Sequence, residues 1–241
     1  VGDPTDPSDD ADLIGSARVY ASDGTFTDTF GDPDATISQF QHRLLYGFSD
    51  DGQVRYAIVR TGQYIGYGFG GFLYERRGGV TLPTAGQAGY TGTYSALRDF
   101  NGIGGLEYAS GDMTMAIDFE DFNDGDGVQG AVFNRRVFDI NGRDITGEIT
   151  NALGTSNIPN LLFTVGPGVL TANGEIRGQV TSTVLTAAGL DGFEEGNYYA
   201  IVQGDNAQNV VGIIVSTHTD PRFTNVTTRE TGGFVLERGG G

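Results

Sequence analysis

The chain has 241 residues, 14 basic and 31 acidic side chains, a formal charge of −17, 40 glycines and no cysteine or tryptophan. All 14 cations are arginine; lysine is absent. Those numbers exclude a disulfide scaffold, a thiolate metal site and a cysteine nucleophile. They also argue against nucleic acid as a partner, which needs a basic surface, and no apolar run approaches the ~20 residues of a membrane-spanning helix.

In chain order, Val1-Gly-Asp-Pro-Thr-Asp-Pro-Ser-Asp-Asp-Ala-Asp offers almost nothing to bury, so residues 1–12 read as a flexible acidic tether. Strands are predicted near Ser16–Tyr20, Thr25–Phe30, Gln39–Gly47, Val54–Arg60 and Tyr64–Glu75. The last alternates Ile65, Tyr67, Phe69 and Leu73 with Tyr64, glycines, Phe72 and Tyr74, which fits a packing surface between two sheets or an intersubunit contact. Gly78-Gly79 through Pro83 to Gly86 supplies a boundary, giving a β-sheet handle over 13–84 and a second unit over 85–241.

In the second unit, Asp112–Phe119 turns Met113, Met115, Ile117 and Phe119 to one face, and Gly174–Ser182 does the same with Ile176, Gly178 and Val180. Strands apolar on one side and polar on the other belong to antiparallel sheet. Turn signals fall at Asp50-Asp51-Gly52, Asn123–Gly127, Asn141-Gly142 and Asn173-Gly174. Five segments repeat apolar–x–Gly–x–apolar, centred on Gly92, Gly130, Gly147, Gly178 and Gly212. A glycine shared with an apolar face lets a strand bend and backbones approach, as a closing sheet requires. Helical patterning is nearly absent; the best short candidate, Leu185–Leu190, reads as a turn. The expected class is all-β: an antiparallel handle followed by an eight-stranded antiparallel barrel.

The order of Gly89-Tyr-Thr-Gly-Thr-Tyr, Met113-Thr-Met-Ala-Ile-Asp-Phe, Val128-Gln-Gly-Ala-Val, Gly174-Glu-Ile-Arg-Gly, Asn197–Ile214 and the closing Gly232-Gly-Phe-Val-Leu-Glu-Arg is similar to the barrel domain of transferrin-binding protein B-like surface lipoproteins. The resemblance covers about residues 85–238 and rests on structural glycines and apolar positions. It implies a lobe of handle plus eight-stranded barrel whose variable loops hold the ligand, and it carries over no ligand-contacting residue.

Chemistry-bearing residues are sparse. His42 and His218 sit in no nucleophile motif, and Gly-x-Ser-x-Gly does not occur. Asp118, Glu120, Asp121, Asn123, Asp124 and Asp126 form an acidic, glycine-containing loop whose hard oxygens suit calcium, although Gly125 breaks the EF-hand pattern and a solvated hairpin turn explains the same residues. Arg76-Arg77 and Arg135-Arg136 fit either an anion-binding spot or local ion pairs. Asn225-Val-Thr227 matches a glycosylation sequon. The functional expectation is a non-enzymatic bacterial cell-surface, outer-membrane or extracellular module that presents barrel loops to a protein or haem-type ligand. Any membrane attachment would run through an N-terminal lipid anchor outside this sequence. The alternatives are a structural subunit of a surface layer, appendage or envelope complex, and a hydrolase using a carboxylate pair.

Overall fold

The computed structural model describes residues 13–22, 25–27, 36–38, 41–120, 127–164 and 170–239. Its first part comprises β1 (Leu13–Ile14), β2 (Ala17–Ser22), β3 (Thr25–Thr27), β4 (Thr36–Ser38), β5 (His42–Phe48), β6 (Val54–Arg60) and β7 (Gly70–Arg76). These form an antiparallel sheet in the order β1-β2-β5-β6-β7, with β3–β4 as a separate hairpin. There follow β8 (Val80–Thr81), β9 (Gln87–Asn101), β10 (Leu106–Asp118), β11 (Val128–Asp139), α1 (Thr146–Leu153), β12 (Leu161–Thr164), β13 (Glu175–Thr186), β14 (Gly189–Asp205), β15 (Asn209–Thr219) and β16 (Thr227–Arg238). Strands β9 to β16 run in the order β13-β12-β11-β10-β9-β16-β15-β14, and a β13–β14 pairing closes them into an eight-stranded antiparallel barrel.

Four of the five glycine-centred segments lie in barrel strands, and in three of them the missing side chain makes room for a ring. A Cβ on Gly130 would meet the Phe163 ring, one on Gly178 the Tyr198 ring, and one on Gly212 the Phe234 ring, all under 3.0 Å away. Phe163 and Tyr198 stack with centroids 3.9 Å apart. The lumen is therefore solid rather than open: Tyr90, Tyr94, Met113, Ile117, Val132, Val180, Ile214, Phe234 and Leu236 are all buried in it. Outward positions such as Thr91, Glu175, Arg177, Gln179, Glu195 and Asn197 are exposed. Over this part of the wall the barrel is apolar inside and polar outside, the inverse of a membrane-spanning one.

The fifth segment departs from expectation. Ile145–Ile149 is not a strand: Thr146–Leu153 is helical, ending on Gly154 in the left-handed region. Ile145, Ile149 and Leu153 are spaced by four, so they satisfy a helical face as well as a strand face, and Ile145 and Ile149 are buried in the barrel core.

A second apolar layer joins the handle to the barrel wall. Leu45, Val54, Tyr56 and Ile58 of the handle pack on Leu97, Tyr108, Val211 and Ile213 of β9, β10 and β15. The Tyr56 ring lies against the bare backbone of Gly233, where any Cβ would clash at 2.2 Å.

The predicted strand Tyr64–Glu75 is also shorter than expected, since pairing begins only at Gly70. Gly68 is pressed so closely on the Thr61 carbonyl that no side chain would fit, and Gly66 and Gly68 bring no packing of their own. Residues 61–69 are instead a loop laid across one end of the barrel.

Candidate functional site

That loop meets the β9–β10 and β15–β16 turns. The Gly102 amide donates to the Ile65 carbonyl at 2.8 Å and the Gly105 amide to the Gly62 carbonyl at 2.7 Å. The Tyr67 and Thr227 hydroxyls lie 2.9 Å apart, and the Arg229 guanidinium covers the Tyr67 ring at 4.4 Å. Arg229 also donates to Asp99 at 3.0 Å and to the Gly68 carbonyl at 3.1 Å. Held this way, the end presents Ile65 at 75% exposure, Phe69 at 73% and Phe223 at 42%. Tyr64 meets Phe69 edge-on at 5.3 Å, and the Arg222 guanidinium lies 5.0 Å from the Phe223 ring.

Beneath these loops the barrel interior is ionic. Arg222, on the β15–β16 turn, donates to both Glu107 oxygens at 2.7 and 3.1 Å and to Asp220 at 2.7 Å; Thr228 donates to Asp220 at 2.9 Å. Arg98 donates to Glu107 at 2.8 Å. Arg135 grips Glu194 with two bonds of 2.6 and 2.8 Å, reaches Glu230 at 3.0 Å and donates to the Pro159 carbonyl at 2.9 Å. Tyr94 donates to Glu230 at 2.9 Å and Ser182 to Glu194 at 2.6 Å. Paired, forked guanidinium–carboxylate bonds of this kind need arginine, which the lysine-free composition supplies.

Burial opposes the charge on Glu194, but the Arg135 guanidinium overrides it and holds the carboxyl down to about 2. Asp220 reaches about 2 in the same way, burial being outweighed by its Arg222 bonds. His218 is forced the other way. Burial, reinforced by the Arg98 charge, lowers it to about 4. Arg98 lies 3.2 Å from Nε2 and can only donate, so His218 is neutral with its proton on Nδ1, which faces Glu194 at 3.7 Å.

The structure thus resolves the Arg135-Arg136 pair into local ion pairs. Alternation along β11 sends Arg135 into the barrel and Arg136 outward to Asp144, whereas Arg76 donates to the Val202 carbonyl. Asn225 is exposed at the tip of the β15–β16 turn. Of the acidic loop, Asp118 and Glu120 are described, at the opposite end of the barrel; Asp118 accepts from Gln87 at 2.6 Å and from the Glu120 amide at 2.9 Å. Asp121, Asn123, Asp124 and Asp126 lie outside the described residues. Among the described residues no group of three or more carboxylate or imidazole ligands gathers as a metal site. The sequence reading missed the ionic cluster; its one signal was charged residues on inward positions of otherwise apolar strands, Arg98, Glu194, His218 and Glu230 among them.

No family model and no curated protein matches the chain. Among solved structures, a point mutant of Transferrin Binding Protein B (TbpB) from Haemophilus parasuis Hp5, described as a vaccine antigen, is 11% identical with a TM-score of 0.47, over 95% of this chain and 38% of that one. Intact Ap-TbpB, with N and C lobes, is 12% identical with a TM-score of 0.45, over 95% of this chain and 39% of that one. This chain spans well under half the length of those proteins. The likeness is one of fold and transfers no functional residue.

Proposed function

We propose that the chain is a non-enzymatic binding module, displayed on a bacterial surface or released from it, whose barrel end formed by residues 61–69, 102–105 and 220–226 docks a protein partner. The observation that carries this reading is the exposed trio Ile65, Phe69 and Phe223 on loops tied down by buried ion pairs. Large apolar side chains kept in water mark interaction surfaces, and loops already fixed before contact lose little entropy on binding. A net charge of −17 favours a partner with a basic face, through faster encounter. The titratable groups that converge here are sealed in ion pairs, which supports a structural rather than catalytic use. A haem-type ligand would have to sit among the loops, because aromatic rings fill the lumen.

The test is capture of surface or extracellular partners by the chain and by a Phe69→Asp, Phe223→Asp double variant. We expect binding of the captured partner to fall at least about tenfold in the variant while its melting temperature is kept. Undiminished binding would move the docking face elsewhere. Calcium at the Asp118–Asp126 loop is a separate proposal, checked by whether added calcium raises the melting temperature and whether Asp124→Asn, Asp126→Asn abolishes the rise.

A further inference from the structure

Among the described residues, strand β7 ends its sheet, with β6 on one side and no strand on the other. The Arg77 amide donates to the Gln53 carbonyl and the Thr61 amide to the Phe69 carbonyl. These two bonds fix the ladder's phase: odd-numbered residues of β7 bond to β6, so the amides and carbonyls of Gly70, Phe72, Tyr74 and Arg76 point to the open edge. Open edges are normally blunted by lysine, proline or a bulge. Gly70-Gly71-Phe72-Leu73-Tyr74 has none of these, and it leaves Phe72 42% and Leu73 51% exposed.

We propose that this edge pairs with the same edge of a second copy of the chain, antiparallel, about a two-fold axis through Leu73. That register sets Phe72 against the partner's Tyr74 and Tyr74 against the partner's Phe72 as hydrogen-bonded pairs, giving roughly four interchain bonds. Gly70 and Gly71 then face Arg76 and Glu75 of the second copy, so the charged end of each strand meets the neutral end of its mate and no like charges oppose each other. A parallel pairing would stack Glu on Glu and Arg on Arg, which is destabilising. Leu73 meets its own symmetry mate on the solvent side, and Phe72 meets Tyr74 on the barrel side, so both exposed apolar groups are covered. One patch serving both subunits is an isologous contact, which closes at a dimer and does not propagate.

The absence of cysteine makes the test clean. In an antiparallel non-hydrogen-bonded pair the Cα atoms stand about 4.5 Å apart, within disulfide range. A Leu73→Cys chain should therefore cross-link to itself under mild oxidant on the order of tenfold faster than a Leu185→Cys control on the exposed β13–β14 hairpin. Sedimentation equilibrium should show a concentration-dependent dimer for the unaltered chain. Leu73→Lys, which sets two like charges opposite each other at an exposed position, should raise the dissociation constant by about tenfold or more with the melt unchanged. The proposal is overturned by a monomer at every concentration, by a dimer indifferent to Leu73→Lys, or by cross-linking no faster than the control.

Discussion

At the end of the barrel near β8, the strands turn Tyr90, Met115, Ile117, Val128, Ile176, Val202 and Leu236 inward, and packing alone specifies the arrangement. A few residues further along the same strands, Arg98, Arg135, Glu194, His218 and Glu230 occupy equivalent inward positions and are as deeply buried. The apolar half tolerates adjustment, because a methylene lost there costs contact and volume only. The ionic half does not: each carboxylate there has a guanidinium partner, and removing one strands the other in a low dielectric. Stability that could have come from leucine has been replaced by directional bonds below the surface proposed to bind. Directional bonds fix a loop in one position, whereas apolar packing admits several.

Four measurements would break or sharpen that contrast. The largest effect is expected from Arg135→Met, which leaves Glu194 without a guanidinium and Glu230 with Arg98 alone; chemical denaturation should show a loss of about 3–5 kcal/mol. Met115→Leu, a volume-conserving change in the apolar half, should cost under about 1.5 kcal/mol. If the two variants lose equal stability, the contrast fails.

Next is acid sensitivity. His218 titrates at about 4 in the fold against 6.5 when unfolded, so the unfolded chain takes up a proton first. Stability should hold above pH 6.5 and fall by roughly 3 kcal/mol on the way to pH 4. Glu194 and Asp220, held at about 2, act lower down: their contribution stands above their unfolded values of 4.5 and 3.8 and is lost as pH falls toward 2. A His218→Gln chain whose denaturation midpoint still drops between pH 6.5 and 4 would reassign that slope.

A smaller cost, about 1–3 kcal/mol, is expected from Gly178→Ala, whose methyl would meet the Tyr198 ring at 2.6 Å; a thermal melt reads it. The smallest should come from Tyr67→Phe, which removes the Thr227 contact. We expect about 0.5–1.5 kcal/mol or less globally, with faster amide exchange confined to residues 61–69.

Much of this molecule could be read from period-two alternation. Met113, Met115, Ile117 and Phe119 point inward as the pattern requires, and Gly92, Gly130, Gly178 and Gly212 mark the curved wall. The failures share a cause: local pattern is degenerate where tertiary contacts decide. Ile145 and Ile149 fit two periods, and the packing of half-buried Leu153, four residues on, against the same core selects the helix. The Tyr64–Phe69 stretch alternates like a strand, yet the approach of Gly68 to Thr61 turns it into a cap. The ionic cluster was illegible because its members come from β9, β10, β11, β14, β15 and β16, and nothing local tells an arginine that it will face Glu194 rather than water.

The Tyr56 ring on Gly233 has a further consequence, in the order of events during folding. Barrel closure joins β9 to β16, the most distant barrel strands in sequence, with Tyr94 opposite Phe234. The five-stranded sheet is contiguous in the chain, so it can form before β16 exists. Its inner face then covers Leu97 on β9 and offers the Tyr56 ring as a seat for the flat backbone of Gly233. The handle thus acts as a jig that holds an unpaired strand and receives its late partner. A Gly233→Val chain should accordingly refold with a slowed final phase, while amides of β5 and β6 acquire protection on schedule.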